Sequence, residues 1–435
     1  MLSLIPRYAA KGLRSFSTFA GQRVWKEELI KPLASFVGKD IANGHSFDLS
    51  QQQLEDLIKS EDPELVNAYL VQANSITESV FSNYVYLHGF MDLHNMCERN
   101  CQHCYMRRSN KDAKRFMCFP THVYDNMEWL YNHGVGTIVI SSGEFNNEGR
   151  TEFIETILEN TMKKSSEIDR GFREAKGDFS GGAPIQIGLQ MGEIPGNTSR
   201  RFFKKGARTV YLRMEAADRL LYKDVFIRER GYDERVANLQ KMMKMGYEVY
   251  SGTMIGLPFQ TDENLIEDVL MMKELKVDGL DFGAYVPTKN TPIYPFWREQ
   301  NHNDYEKYRS HVYDRLRRVI ALSRIVMRDV NIAVSEHSML FNPDGVADLL
   351  NAGANVVKMF SGPLWTRQFN LYFDEMPPPF SEDDVLKHNL AYIEKAGKQP
   401  MLNRAPSLSP AYLRRFTPSL SPVCFNKQHV PETHK

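Results

Sequence analysis

Short runs of β-branched and aromatic residues alternate along this chain with longer stretches whose apolar positions recur every three or four residues. Eight of the short runs read as strands: Val85–Leu87, Thr137–Ser141, Ile185–Leu189, Thr209–Leu212, Glu248–Thr253, Leu280–Tyr285, Ile332–Ser335 and Val356–Met359. Between them the helical period shows at Tyr124–Asn132, Arg150–Lys164, Asp233–Met245 and Asn264–Lys276. Eight strands with intervening helices predict an α/β fold, a (β/α)8 TIM-type barrel. Ahead of it a helical region runs from about Asp48 to Phe81, with a break expected at Glu61–Pro63.

The remaining segments carry other signals. Residues 1–26 hold Arg7, Lys11, Arg14, Arg23 and Lys26, and no acidic residue precedes Glu27. Ser3, Ser15, Ser17 and Thr18 are interleaved with Leu, Ile and Phe. This is the make-up of an organelle transit peptide of mitochondrial type, the alternative being a basic helix on the globular body. The expected organisation is a leader at 1–26, a helical extension at 27–81 and a barrel at 82–400. A charged, Gly-rich surface insertion is expected at 165–182. A tail at 401–435 carries Ser-Leu-Ser-Pro twice and promises little core content.

Charge and composition exclude several classes. The chain of 435 residues has 54 basic and 54 acidic residues, and no basic stripe of the kind that binds nucleic acid. No apolar run reaches the length that spans a membrane. Five cysteines are too few for a secreted disulfide scaffold.

Three of those cysteines stand within eight residues: Cys97, Cys101 and Cys104, spaced C-x3-C-x2-C. Thiolates suit soft iron sites, and three on one tight loop can hold three irons of a 4Fe–4S cubane, leaving the fourth iron open to a small ligand. The other reading is a three-Cys zinc site that borrows His94 or His103. Cys118 and Cys424 are isolated and read as free thiols.

In a barrel of this type the chemistry lies at the C-terminal ends of the strands. Ser142-Gly143-Glu144 follows the second strand, a small-residue turn ending in a carboxylate that can meet a ligand ammonium. Read alone, loop composition favours an ordinary turn with a solvent-facing Glu. Arg213 and Glu215 end the fourth strand two residues apart, hence on one face, as ligand groups or as a rim ion pair. Arg235 falls in the first turn of the next helix, where residue type alone favours a solvated side chain. Gly252-Thr-Met254-Ile-Gly256-Leu-Pro258 lets backbone pass close to a flat ligand, and Thr261 is the expected cap of the helix that follows. His94 and His337 are left without a role.

Together these segments resemble the radical S-adenosylmethionine (SAM) superfamily, and within it the biotin synthase-like branch. The similarity runs from about Asp48 to Pro400. Its strongest form is to the HydE family of FeFe-hydrogenase maturases. Cys104-Tyr-Met-Arg107-Arg108-Ser-Asn110-Lys, Thr137-Ile-Val-Ile-Ser-Ser-Gly143-Glu144 and Tyr211-Leu-Arg213-Met-Glu215 carry it. So do Met254-Ile-Gly-Leu-Pro258-Phe-Gln260-Thr261, Ala284-Tyr-Val-Pro287-Thr-Lys-Asn-Thr291-Pro292 and Asn351-Ala-Gly-Ala-Asn355-Val.

The resemblance implies a 4Fe–4S cluster on Cys97, Cys101 and Cys104, with SAM on its open iron. It places His103, Gly143, Glu144, Glu215, Arg235 and Met254 about SAM, with His103 stacked on the adenine. It assigns Arg213, Ser335 and Arg367 to a deeper substrate chamber. The implied activity is reductive cleavage of SAM in assembly of the hydrogenase di-iron site, on a small iron–carbonyl–cyanide precursor. Its partners would be the other maturases HydG and HydF and a reductant such as ferredoxin, in a hydrogenosome or an anaerobic mitochondrion. Three departures stand out. Ser335-Glu336 replaces a Thr pair, Phe259 replaces a Gly, and His103 replaces the usual Tyr. Biotin synthase would need cysteines for a second cluster inside the barrel. A 3-methylornithine synthase and a non-catalytic Fe–S scaffold remain open alternatives.

Overall fold

All eight expected runs form strands in a computed structural model of the chain, which describes residues 49–176, 184–226, 231–369 and 381–416. They are β1 (Tyr84–His94), β2 (Thr137–Ser142), β3 (Gln186–Gln190), β4 (Ala207–Tyr211), β5 (Glu248–Ser251), β6 (Gly279–Asp281), β7 (Asn331–Ser335) and β8 (Val356–Phe360). Each pairs in parallel with its neighbour in sequence, and β8 returns to β1 with Tyr86 opposite Val356 and Phe90 opposite Phe360. Closure leaves no open edge, so a (β/α)8 barrel results.

Two runs are shorter than the apolar pattern predicts. The fifth breaks after Ser251 and resumes at Met254–Ile255, and the sixth breaks after Asp281 and resumes at Gly283–Ala284. The resumed pieces pair with each other. Gly252 marks the break, because a Cβ there would strike the carbonyl of Asp281. Only glycine permits that approach.

The helices start where local chemistry directs. Ser50 and Gln53 form a capping box on Gln51–Lys59, and Asp62 caps Pro63–Phe81, so the break falls where expected. Thr261 accepts from Asn264 N as the cap of Asp262–Leu275. The helix Pro63–Phe81 belongs to the barrel's outer layer. It packs against Tyr305–Val326, and Thr77 Oγ1 donates to Gly353 O at 2.9 Å. Residues 165–176, read as the start of an insertion, continue the helix Glu148–Lys176. Residues 177–183 lie outside the described residues, as do the leader and Cys424.

Residues 401–416 correct the expectation of a tail with little core content. Ser407 and Ser409 are buried at the N-terminal end of the barrel. Ser407 Oγ bonds His88, and its carbonyl accepts from Asn331 Nδ2 at 2.6 Å. Ser409 N donates to Glu248 Oε1 at 2.9 Å. The barrel floor is polar, so the segment that seals it supplies hydroxyls and backbone rather than apolar periodicity. With that end closed, the opposite end is the open one.

Candidate active site

The cysteine loop leaves β1 and is pinned to the turn after β2. Gly143 N donates to His94 O at 3.0 Å, and Glu98 N donates to Glu144 O at 2.8 Å. A Cβ on Gly143 would overlap Met96 O and crowd the Cα of Cys97. Gly143 therefore acts by letting two backbones touch, and this contact sets the position of the first cysteine.

Cys97, Cys101 and Cys104 are half-buried on that loop. Burial raises the pKa of all three thiols, Cys104 to about 12, and charge on one raises the next. Three such thiolates demand a cationic centre among them, which fits an iron cluster. Among the described residues no three His, Cys, Asp or Glu side chains converge as a single metal ion requires. A cubane needs no such convergence, since each thiolate takes its own iron. The donor set therefore fits a cluster better than a zinc ion held with His94 or His103. Burial lowers the pKa of both imidazoles, to about 4.

From the loop an arc of buried charge runs across the ends of β2, β3 and β4. Arg99 Nε donates to Glu144 Oε1 at 2.6 Å, and Glu193 N donates to Glu144 Oε2 at 3.1 Å. Arg235 Nε donates to Glu193 Oε1 at 3.0 Å, and Arg235 Nη1 to the carbonyl of Arg213 at 2.6 Å. Arg213 Nε lies 3.3 Å from Glu215 Oε2. The arc thus brings together Glu144, Arg213, Glu215 and Arg235. Arg235 is buried, not solvated as residue type alone suggests. His103 feels the charges of Glu215, Arg213 and Arg235, which puts it beside the same arc.

Two backbone features hold the far side. Glu215 has φ +71, an unfavourable conformation for a non-glycine residue. It is held there by Glu215 N to Gly252 O and Met254 N to Glu215 O, at 3.2 and 3.0 Å. Gln260 clamps the Gly-Leu-Pro turn: its Oε1 accepts from Gly256 N at 2.7 Å and its Nε2 donates to Met254 O at 2.7 Å. Phe259 has φ +69, the backbone that glycine takes without strain. That explains the glycine of the resembling family. Phe259 is retained here against Phe296, with ring centroids 5.5 Å apart.

Beside the arc, with Arg213 common to both, lies a cavity of about 200 Å³ that Cys104 and Met254 also line. Arg213 and Ser335 line it, together with Glu336 and His337. Arg367 is not among the lining residues and is tied to Glu336 by a 3.2 Å ion pair. In place of a Thr pair, Ser335 receives His337 N on its hydroxyl, and Glu336 accepts from Phe360 N.

The cavity also holds a pair that the sequence analysis missed. Lys358 Nζ donates to both oxygens of Asp281 at 2.9 Å and sits over the Phe90 ring, 4.6 Å from its centroid. Burial pushes Lys358 below the usual lysine range, against the pull of Asp281. Glu193 was missed as well, although Gly192-Glu193 repeats after β3 the Gly143-Glu144 pattern after β2.

Residues 91–272 match the profile of the Radical SAM superfamily. The chain carries a radical SAM domain. Its relatives are of the biotin synthase-like kind. The chain is 24% identical over 319 residues to the [FeFe] hydrogenase maturase subunit HydE of Thermotoga maritima, covering 73% of this chain and 81% of the relative. It is 23% identical over 322 residues to 3-methylornithine synthase of Methanosarcina acetivorans, 74% of this chain and 81% of that enzyme. It is 21% identical over 321 residues to biotin synthase of Clostridium botulinum, 73% of this chain and 88% of that enzyme. Among solved structures, methylornithine synthase PylB superposes with a TM-score of 0.66 at 20% identity over 84% of this chain and 97% of that one. The maturase HydG superposes with 0.64 at 15% identity over 92% and 83%. These likenesses establish the shared barrel. The radical SAM family uses a 4Fe–4S cluster and SAM, and here Cys97, Cys101 and Cys104 would hold the cluster.

Proposed function

We propose that this radical SAM chain acts in assembly of the di-iron site of FeFe hydrogenase, on a small iron–carbonyl–cyanide precursor and beside HydG and HydF. The observation that carries this reading is the cavity. Among the described lining residues Cys104 is the one cysteine, so the wall offers no thiolates for the second cluster that biotin synthase uses. Its volume suits a small ligand, and its wall mixes Arg213, Lys358 and Asp281, charges that can grip an anionic, amino-acid-bearing precursor. The similarity to HydE supports the same reading.

In this reading Cys97, Cys101 and Cys104 hold the cluster. Glu144, Glu193, Glu215 and Arg235 orient SAM, with His103 and Met254 against it. Arg213 and Ser335 face the substrate, and Arg367 acts on Glu336. The leader would direct the chain to a mitochondrion-related, hydrogen-producing organelle.

A second reading, 3-methylornithine synthesis, is supported by the 23% relative and the same charged cavity. A host lacking HydE but holding HydG, HydF and the hydrogenase separates the two. Restored hydrogen evolution on expression of this chain supports maturation. Conversion of lysine without restored hydrogenase supports the second reading, and neither activity supports a scaffold.

A further inference from the structure

A buried phenol stands beside the arc of charge with its hydroxyl unused. Tyr222 is 0% exposed, and among the described residues its hydroxyl has no hydrogen-bond partner. Buried hydroxyls are nearly always bonded, because burial takes away their bonds to water. The groups around it belong to the site: Tyr222 feels the charges of Arg235, Glu193, Glu215 and Cys101. Arg235 in turn feels Tyr222 more strongly than it feels Glu193 or Glu215. The hydroxyl therefore stands where the arc meets the cysteine loop. Burial pushes its pKa up to about 12, so it keeps its proton at neutral pH and can donate.

The segment that carries Tyr222 is fixed. After Glu215, Ala217 N donates to Asp268 Oδ1 at 2.6 Å. Leu221 N donates to Asp218 Oδ1 at 2.7 Å, and Tyr222 N to Asp218 O at 2.9 Å. Tyr222 lies in a π-helical turn, Leu221–Phe226, a rare conformation that recurs at functional sites. Its ring meets the Tyr232 ring edge to face, with centroids 5.3 Å apart. Tyr232 begins the helix Tyr232–Met245 that carries Arg235, and its other neighbour is the Arg219 guanidinium, 4.2 Å from the ring centroid. The phenol is thus wedged in place. The carboxylates nearest to it in charge are engaged elsewhere, Glu193 with Arg235 and Glu215 with Arg213.

On the radical SAM reading, we propose that Tyr222 binds SAM directly, its hydroxyl donating to the carboxylate of the methionine part. SAM's ammonium and ribose hydroxyls offer donors, which suit Glu144, Glu193 and Glu215. Its carboxylate offers only acceptors, which suit the Arg235 guanidinium and the Tyr222 hydroxyl beside it. A rigid donor that needs no reorganisation when the ligand arrives strengthens binding at little entropic cost.

The test is Tyr222→Phe in the reconstituted full chain, which removes the oxygen and keeps the ring against Tyr232. Binding of SAM is compared with binding of decarboxylated SAM, which retains the adenosine, sulfonium and amine. The SAM dissociation constant should rise about tenfold or more, as loss of a hydrogen bond to a charged group does. The constant for decarboxylated SAM should stay at the parent value, and so should iron content and the urea midpoint. Tyr232→Phe is the control. Its lost hydroxyl touches Met271 Sδ, so both ligands should bind it as they bind the parent. Equal SAM affinity in the parent and Tyr222→Phe would overturn the proposal. An equal loss for both ligands, or the same loss in Tyr232→Phe, would also overturn it and assign the effect to ring packing. A parent chain with a full cluster that binds no SAM would strike the radical SAM reading itself.

Discussion

Arg235 donates from Nε to Glu193 Oε1 at 3.0 Å, with both side chains buried. The Arg235 charge is also felt at Cys101, so this pair joins the helix after β4 to the cluster loop. Buried pairs carry a desolvation cost that packing alone would avoid, and they concentrate at functional sites.

The pair should therefore serve SAM. Arg235→Gln, Glu193→Gln and Glu215→Gln should each weaken SAM binding about tenfold to a hundredfold, the effect of losing a charge-assisted hydrogen bond of about 1.5–3 kcal/mol. Iron content should stay at the parent level. Arg213→Ala, which touches the cavity, should spare SAM cleavage and lower turnover of the second substrate. SAM titration followed by cluster EPR, alongside 5′-deoxyadenosine yield, checks all four. Parent-like binding in both Arg235→Gln and Glu215→Gln would show that the arc is structural.

Much of this site is legible in the sequence because its parts follow strands. Thr137-Ile-Val-Ile and Thr209-Val-Tyr-Leu announce β2 and β4, and the polar residues after them fall at the barrel mouth. Glu193 escapes although Gly192-Glu193 repeats the Gly143-Glu144 pattern, because its partners on the turn after β2 and on the helix carrying Arg235 meet it only in the closed barrel. Asp281 and Lys358 escape because each stands singly in an apolar strand, and only barrel closure brings β6 and β8 to one cavity. Residues 403–416 escape because Pro and Ser resemble solvated chain, while their partners are polar groups on four different strands and Asp278 just before β6. The break at Gly252 depends on the Asp281 carbonyl, a contact that no local pattern contains.

The cluster depends on both thiols and backbone. Cys97→Ala, Cys101→Ala or Cys104→Ala should abolish the cluster, and Cys118→Ala should retain it. Gly143→Ala should lose most of the iron with the fold intact, because its Cβ would push Met96 and Cys97 away. Iron analysis with circular dichroism checks this. Full iron in Gly143→Ala would show that the cysteine loop tolerates displacement.

Acid should destabilise the fold through buried imidazoles. Burial lowers His88 from 6.5 to about 3, and it lies between Tyr211 and Ser407. Burial lowers His337 likewise to about 3. A depressed histidine pKa means that the unfolded chain binds protons which the folded chain refuses. Stability contributed this way is complete above pH 6.5 and is lost as pH falls toward 3, by up to about 1.4 kcal/mol per pH unit for each group. His88→Gln should show a shallower loss of stability between pH 7 and pH 5 than the parent in urea titrations. Equal slopes would mean that His88 is free to ionise in the fold.

We propose that the basic, acid-free residues 1–26 address the chain to an organelle. A fusion of residues 1–48 to a reporter should enter mitochondrion-related organelles and be shortened there. Replacing Arg7, Lys11 and Arg14 by Glu should leave the fusion at full length in the cytosol. Import of the acidic version would refute the assignment.

The most direct measurement of the central claim is anaerobic incubation of the reconstituted chain with SAM and dithionite, with 5′-deoxyadenosine and methionine quantified. The account predicts both products in equal amounts from the parent chain, and none from Cys101→Ala. A parent chain that carries its cluster, binds SAM and forms neither product would contradict it.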